Sequence, residues 1–240
     1  MIRFVTETGS TNTDLASELR AGMAVPEGEW LVADRQVSGR GRQGRAWFDG
    51  YGNFMGSTVV HLSPRDPNPA TLALVAGVAA YEAVSGVLAD PSLLKLKWPN
   101  DLLLRNAKLA GILLEREGSA VIVGMGVNLV AAPDLPDRRT IALTNFGPPP
   151  DREIFARSLS YAFDQELDRW RTYGLEPLIR RWESVAHPRG ASLTVNVPGE
   201  QRIEGVFDGL TAEGTLLLRL EDGSTRAIHA GDVMLANEGN

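Results

Sequence analysis

The sequence predicts an α+β fold: a mixed or antiparallel sheet with flanking helices, followed by a small β-barrel. Three observations carry this expectation. Between Leu94 and Leu129, strand-like runs follow one another through short turns, which implies up-and-down pairing. Two long segments, 69–88 and 152–173, repeat apolar residues at helical spacing. After Gly190 the pattern changes to short strands punctuated by Gly199, Gly209, Gly214 and Gly223. The change divides the chain into residues 1–188 and 189–240.

Taken in order, Ile2 to Val5 reads as a short strand, and Ser10-Thr11-Asn12 precedes a helical pattern over 13–21 with Leu15, Ala16 and Leu19. Such residues are preferred helix caps, but three in a row exceed what one cap requires. Residues 29–33 predict a buried strand that delivers Gln36 and a glycine-arginine loop; residues 56–62 predict the next strand. Asn68-Pro69 starts a helix to about Leu88, with Leu72, Val75, Ala76, Ala79, Ala83 and Val87 at core spacing. Strands then follow over 94–98, 102–104, 108–115 and 120–123, with Gly111, Gly124 and Gly126 interrupting strand-like runs. A glycine there weakens a strand unless a bulge or close approach needs the space. Arg152 to Tyr173 reads as an amphipathic helix with Ile154, Phe155, Leu159, Phe163, Leu167 and Trp170 on its apolar side, ended by Gly174. A short helix over 175–185 follows, then strands over 193–197, 203–207, 215–220 and 225–229.

Composition narrows the function. With 43% hydrophobic and 22% charged residues the chain is ordinary for a soluble globular protein. A net charge of -6 argues against a general nucleic-acid binder. There is no cysteine, and His61, His187 and His229 show no metal-ligand spacing. No signal core is apparent after Met1, and the apolar stretch 70–89 is interrupted by Tyr81, Glu82 and Ser85. The expectation is therefore a cytoplasmic protein without a membrane span.

The densest stretch is Gly39-Arg40-Gly41-Arg42-Gln43-Gly44-Arg45-Ala46-Trp47. Glycines allow close backbone approach and arginines offer planar forks to carboxylate or phosphate oxygens. The run reads either as a loop closing over a small anion, with Trp47 stacking on a flat ring, or as a solvated basic loop. A second dense segment supplies Lys95, Lys97, Asn100, Asp101 and Lys108. Here too a bland reading stands: lysines on an open strand face and an Asn-Asp turn. No nucleophile elbow and no Walker phosphate loop occurs. Joining a carboxylate to a nucleotide α-phosphate would need preplaced cations, which Arg42, Lys97 and Lys108 could supply, and usually Mg²⁺, which Asp101 could hold.

In their order and spacing, Ser10-Thr11-Asn12, the run from Gly39 to Trp47, Lys97-Trp98-Pro99-Asn100-Asp101, Lys108-Leu109-Ala110-Gly111-Ile112-Leu113 and Gly124-Met125-Gly126-Val127-Asn128 resemble the signature blocks of biotin–protein ligases. The resemblance runs from about Ser10 to Leu235. It implies a catalytic domain like that of class II tRNA synthetases, with an SH3-like C-terminal domain. It implies that biotin and MgATP give biotinoyl-5'-AMP, and that a lysine of a biotin carboxyl carrier domain then takes the biotinoyl group. By position, Ser10, Thr11, Asn12, Gln36, Gly39, Arg40, Gly41, Arg42, Lys108 and Gly111 resemble the biotin-binding set. Arg42, Arg45, Trp47, Lys97, Asn100, Lys108 and Asn128 resemble the ATP set, with Trp47 on the adenine ring. Lys108 and Arg42 would be catalytic, and Asp101 would contact magnesium or the acceptor lysine. The family includes members that repress transcription through an N-terminal helix-turn-helix domain; only nine residues precede Ser10, so the expectation is a catalysis-only ligase without operator binding, with room for a homodimer. Two rivals remain: a lipoate-type cofactor–protein ligase on the same fold, and a nucleic-acid binding module using the arginine loop and the barrel.

Overall fold

The computed structural model describes residues 1–197, 199 and 201–235; the end of the 189–240 segment, residues 236–240, lies outside the described residues. Seven strands form the first sheet, β1 (Ile2–Thr8), β2 (Trp30–Gln36), β3 (Phe54–His61), β4 (Leu94–Lys97), β5 (Asp101–Leu104), β6 (Ala107–Glu117) and β7 (Ala120–Val127). Their spatial order is β1-β2-β3-β7-β6-β5-β4. The β1–β2 pair is parallel and joined through helix α1 (Thr11–Arg20); the other pairs are antiparallel, so the sheet is mixed.

Strand alternation separates two apolar faces. Leu31, Val59 and Ile122 pack with Leu15 and Ala16 of α1. Their sequence neighbours Trp30, Val32, Val60, Val121 and Val123 join the main core on the opposite face, with α2 (Leu72–Ser85), α3 (Arg152–Tyr173) and α4 (Leu175–Ser184). Helix α2 is buried on nearly every side, from Leu72 to Val84, because it lies between the sheet and the other two helices. It begins after a single 3₁₀ turn over Pro69–Thr71, capped by the Asn68 side chain, which accepts from the Ala70 amide at 3.0 Å. It ends at Ser85, so Val87 falls beyond it and is exposed rather than core. Ile154 is likewise exposed at the start of α3, whereas Phe155, Leu159, Phe163, Leu167 and Trp170 are buried as their spacing predicts. Among the described residues, no helix is long and apolar enough to cross a membrane.

The C-terminal strands β8 (Ser192–Asn196), β9 (Ile203–Leu210), β10 (Leu216–Arg219), β11 (Thr225–Ile228) and β12 (Asp232–Leu235) form an antiparallel sheet in the order β11-β10-β9-β8-β12. Strand β12, not anticipated from the sequence, pairs with β8 across most of the segment. This sheet packs on the first unit through Trp182 against Phe207, 6.4 Å between ring centroids. The Trp98 indole donates to the Gly214 carbonyl at 3.2 Å. The arrangement brings the start of β12 to the mouth of a cavity on the α1 side of the large sheet.

Candidate functional site

The cavity has about 1060 Å³ of empty space, counting its open mouth. It is bounded by the start of α1, the end of β2, the loop that follows, the centres of β6 and β7, the segment after β7, and Asp232 of β12. Ser10 is the N-cap of α1 by position, with extended backbone, but its side chain makes no capping hydrogen bond. The helix consequently begins at Thr11, earlier than its apolar pattern suggests, and turns the polar triplet into the cavity.

At this end the side chains form one chain of hydrogen bonds. The Thr11 amide donates to Gln36 Oε1 at 2.7 Å. Ser57 Oγ donates to Asn12 Oδ1 at 2.6 Å, and Asn12 Nδ2 donates to Glu115 Oε2 at 2.7 Å. Thr11 Oγ1 lies 2.6 Å from Ser57 Oγ. A hydroxyl carries one proton, so with Ser57 donating to Asn12 the Thr11 hydroxyl proton is shared between Ser57 Oγ and Gln36 Oε1, which lies 3.1 Å away. Arg40 closes the chain from above, 3.0 Å from Glu115 Oε1 and donating to Thr13 Oγ1 at 3.1 Å. Together these residues give a small, fixed set of amide and hydroxyl groups beside an apolar wall.

The glycine-arginine run folds as a tight hairpin. The Trp47 amide donates to the Gly39 carbonyl at 2.9 Å and the Gly41 amide to the Arg45 carbonyl at 2.7 Å. Its tip is a 3₁₀ turn over Arg42–Gly44, with Gln43 and Gly44 in the left-handed region at φ 57° and 72°. Trp47 then lies across the sheet. A Cβ on Gly126 would stand 2.2 Å from Trp47 Cε2, and one on Gly124 2.2 Å from Asn12 Oδ1. Both glycines are therefore required by close approach, the exception that allows glycine inside a strand. The Lys108 ammonium sits 5.7 Å from the indole centroid. Trp47 Nε1 and Asn128 Oδ1 are buried without a partner, one a donor and the other an acceptor. Asn128 itself is oriented by its Nδ2, which donates to the Ile141 carbonyl at 3.2 Å.

The other end is cationic. Lys108 Nζ lies 2.6 Å from Asp101 Oδ1, and Lys97 Nζ 3.6 Å from Asp101 Oδ2. Burial alone would raise the Asp101 carboxyl, but Lys108 and Lys97 outweigh it and hold the group below the usual carboxylate range. Arg45 pairs with Asp232, and Arg138 with Asp137, 2.5 Å from Nη2 to Oδ2. Arg42 differs: its fork donates to Asn100 Oδ1 at 3.0 Å and to the Gly231 carbonyl at 3.4 Å, both neutral acceptors. Asn100 is in turn fixed to β6, its Nδ2 donating to the Ile112 carbonyl at 2.8 Å. Arg42 thus presents its charge to the cavity without a carboxylate against it.

Of the residues expected from the sequence, Ser10, Thr11, Asn12, Gln36, Arg40, Gly41, Arg42, Arg45, Trp47, Asn100, Asp101, Lys108, Gly111 and Asn128 all line this cavity. Gly39 stands at its edge, where a Cβ would come within 3.3 Å of Gln36 Nε2. Lys97 is set back behind Asp101 and buried, not on the open strand face of the bland reading. The expectation of magnesium on Asp101 does not fit this arrangement. Its carboxylate is committed to two ammonium groups, and Asp137 and Asp232 are committed to arginines. Ser57, Glu115, Arg138 and Asp232 were not identified from the sequence. Ser57 and Glu115 depend on register across the sheet, and Arg138 and Asp232 sit in stretches to which the sequence pattern assigns no element.

The signature of the Biotin/lipoate A/B protein ligase family matches residues 5–129, and that of the Biotin protein ligase C terminal domain matches residues 194–235. The biotin--[acetyl-CoA-carboxylase] ligase of Paracoccus denitrificans is 35% identical over 228 residues, covering 88% of this chain and 91% of the relative. That of Mycobacterium tuberculosis is 32% identical, covering 96% and 87%. Among solved structures, the biotin protein ligase from Aquifex aeolicus in complex with biotin and ATP superposes with a TM-score of 0.85 at 27% identity, covering 98% of this chain and 99% of that one.

Proposed function

The chain belongs to the biotin/lipoate A/B protein ligase family, and from that membership we infer an ATP-dependent biotin–protein ligase. The observation that carries the reading is one cavity lined both by a hydrogen-bonded polar chain running from Gln36 to Glu115 and by a cation cluster that includes Arg42 and Lys108. In the first step a biotin carboxylate oxygen attacks the α-phosphorus of ATP and pyrophosphate leaves. In the second, the ε-amine of a carrier-domain lysine attacks the acyl carbon and AMP leaves.

The residue roles proposed are those the family resemblance implies, and the local chemistry is compatible with them. Two unit anions 4 Å apart repel by about 4 kcal/mol at an effective dielectric of about 20, so cations must be in place before they meet. Arg42, whose fork has neutral partners among the described residues, is the group that receives the carboxylate and α-phosphate, with Lys108 also lining the cavity. Ser10, Thr11, Asn12, Gln36 and the backbone of Gly39 to Arg42 hold the ureido ring, which offers one strong acceptor and two N–H donors. Gly111 keeps the adjoining floor low for the same ligand. Trp47 and Asn128 contribute a ring face and a buried acceptor to the adenine, and Arg45, Lys97 and Asn100 surround the phosphates. Magnesium travels with the nucleotide in this proposal, and no step is assigned to it through Asp101. The acceptor is a carboxylase carrier domain, consistent with the enzyme name shared by the relatives.

ATP–pyrophosphate exchange dependent on biotin tests the assignment. Exchange with lipoate but not with biotin would transfer the activity to the lipoate-type rival. The Gly39–Trp47 run and the Lys97–Asp101 block favour biotin.

A further inference from the structure

Beyond the residues assigned so far, we propose that Arg138 binds the β- and γ-phosphates of ATP, and that Asp137 holds its guanidinium ready until they arrive. The proposal rests on the ligase reading for the identity of the nucleotide. It stands on where the segment between β7 and α3 is anchored. At its start, Asn53 Oδ1 accepts from the Val130 and Ala131 amides at 2.9 and 3.1 Å. At its end, the Lys108 amide donates to the Arg139 carbonyl at 2.9 Å, and the Ile141 amide donates to the Lys108 carbonyl at 3.0 Å. The residue next to Arg138 is therefore tied to the backbone of the central lysine. Thr140 also donates to the Pro133 carbonyl, which folds the segment back on itself.

This anchoring sets Arg138 in the cavity wall together with Asp101, Asp137, Lys108 and Asp232. Its side chain is largely shielded, while that of its partner Asp137 is more than half exposed. Pairs that open to water hold weakly, so a phosphate oxygen can replace Asp137 with little loss. The field agrees: beyond Asp137 itself, Asp101 and Asp232 both act on Arg138 and help to raise its pKa. Arg138 therefore faces the same space as Arg45, which Asp232 holds. Two guanidinium groups, Arg45 held by Asp232 of β12 and Arg138 held by its neighbour Asp137, line the same cavity. A doubly forked cation pair suits the terminal phosphates, which carry most of the nucleotide's charge.

The experiment compares the wild-type chain with Arg138→Ala, Arg138→Lys and Asp137→Asn. ATP, AMP and pyrophosphate are titrated calorimetrically, biotin separately, and ATP–pyrophosphate exchange is measured at saturating biotin. Losing one charge-assisted contact should raise the KM and Kd for ATP about tenfold in Arg138→Ala. Pyrophosphate should weaken in parallel, AMP and biotin should stay within about twofold, and Arg138→Lys should recover part of the loss. Asp137→Asn should tighten pyrophosphate. Unchanged ATP affinity in Arg138→Ala would overturn the proposal. So would equal losses for ATP, AMP and biotin without rescue by lysine, which would mean the side chain only supports the segment. If wild type bound ATP but showed no biotin-dependent exchange, the ligase reading would fail, while calorimetry would still score Arg138.

Discussion

The Lys108 ammonium and the Asp101 carboxylate are 2.6 Å apart, with the aspartate fully buried and Lys97 behind it. A charge pair this enclosed couples chemistry to stability. Lys108→Ala should abolish measurable adenylate formation, and it should also leave a buried carboxylate with one cation in place of two. Breaking a buried pair costs roughly 3–5 kcal/mol, and Lys97 keeps the expected loss at the lower end, a fall in Tm of about 6–12 °C. The sign of the pH effect follows. Asp101 is depressed in the folded protein, so its contribution is present above the unfolded value near 3.8 and is lost as pH falls through the lower folded value. Without Lys108 the folded value rises toward the unfolded one, so the variant should lose less stability than wild type as pH falls below about 3.8. Melting curves of the variant from pH 5 to pH 2 that parallel wild type would contradict this coupling.

Among the described residues, Arg42 donates to two neutral acceptors, Asn100 Oδ1 and the Gly231 carbonyl, and to no carboxylate. Arg42→Gly should therefore weaken retention of the acyl-adenylate more than it destabilises the fold. The measurable result is release of the activated acid and labelling of bystander lysines when an unrelated protein is mixed with the variant, biotin and ATP. Labelling confined to the carrier domain would show that Arg42 does not hold the intermediate.

How far the molecule is legible in the sequence depends on distance along the chain. Helix α3 is read to the residue, Arg152–Tyr173, because the Asp151 cap, the apolar spacing and Gly174 are all local signals. Strand β12 is missed because four residues hold only Val233 and Leu235 as pattern, and its partner β8 lies far back in the chain. The same division runs through the site. Ser10 to Asn12, the Gly39–Trp47 run and Lys108 announce themselves as dense polar or cationic blocks. Ser57 does not, because its role comes from standing opposite Gly124 in the β3–β7 register and beneath Asn12. Asp232 and Arg138 enter only when the C-terminal sheet and the segment after β7 fold over the cavity.

The approach of Trp47 to Gly126 gives a steric test. A Cβ there would meet the indole at 2.2 Å, and the obstructing atoms belong to a rigid ring on a tight hairpin. Gly126→Ala should lift Trp47 from the sheet and disturb the nucleotide and biotin sites together. Tryptophan emission should shift to the red, and biotin should bind about tenfold or more weakly, while far-UV circular dichroism stays native. Overpacking of this kind costs roughly 1–3 kcal/mol. An alanine variant with unchanged emission and affinity would mean that the indole does not rest on this glycine in solution.

Asp232 offers a test of the contact between the two sheets. It pairs with Arg45 from the start of β12, next to the Gly231 carbonyl that receives Arg42. Asp232→Asn removes a carboxylate from the phosphate side while keeping its shape. Since Arg45 is partly exposed, the effect on stability should be small, within about 1 kcal/mol. Two consequences compete: a freed Arg45 attracts phosphate more strongly, but it is held less firmly. Asp232 is much less exposed than Asp137 and so holds its arginine more firmly; here the orientation loss is the larger effect, and KM for ATP should rise while biotin affinity holds. A fall in KM would reverse that ranking.

His187 carries the last prediction. It lies between the two sheets in a small apolar space bounded by Trp98, Trp182 and Phe207, and its Nε2 is buried without a partner. Burial, with Lys97 and Lys95 adding to it, lowers its pKa from 6.5 to about 4. The folded protein thus keeps His187 neutral where the unfolded chain would protonate it, so acidification favours unfolding. The loss begins near pH 6.5 and is complete as pH falls through about 4, amounting to about 3 kcal/mol. His187→Gln cannot titrate there. Its stability should decline less than that of wild type between pH 6.5 and pH 4, even if it is lower at neutral pH. Urea unfolding at several pH values measures the difference directly, and two parallel curves would show that His187 is not the group that senses acid at this interface.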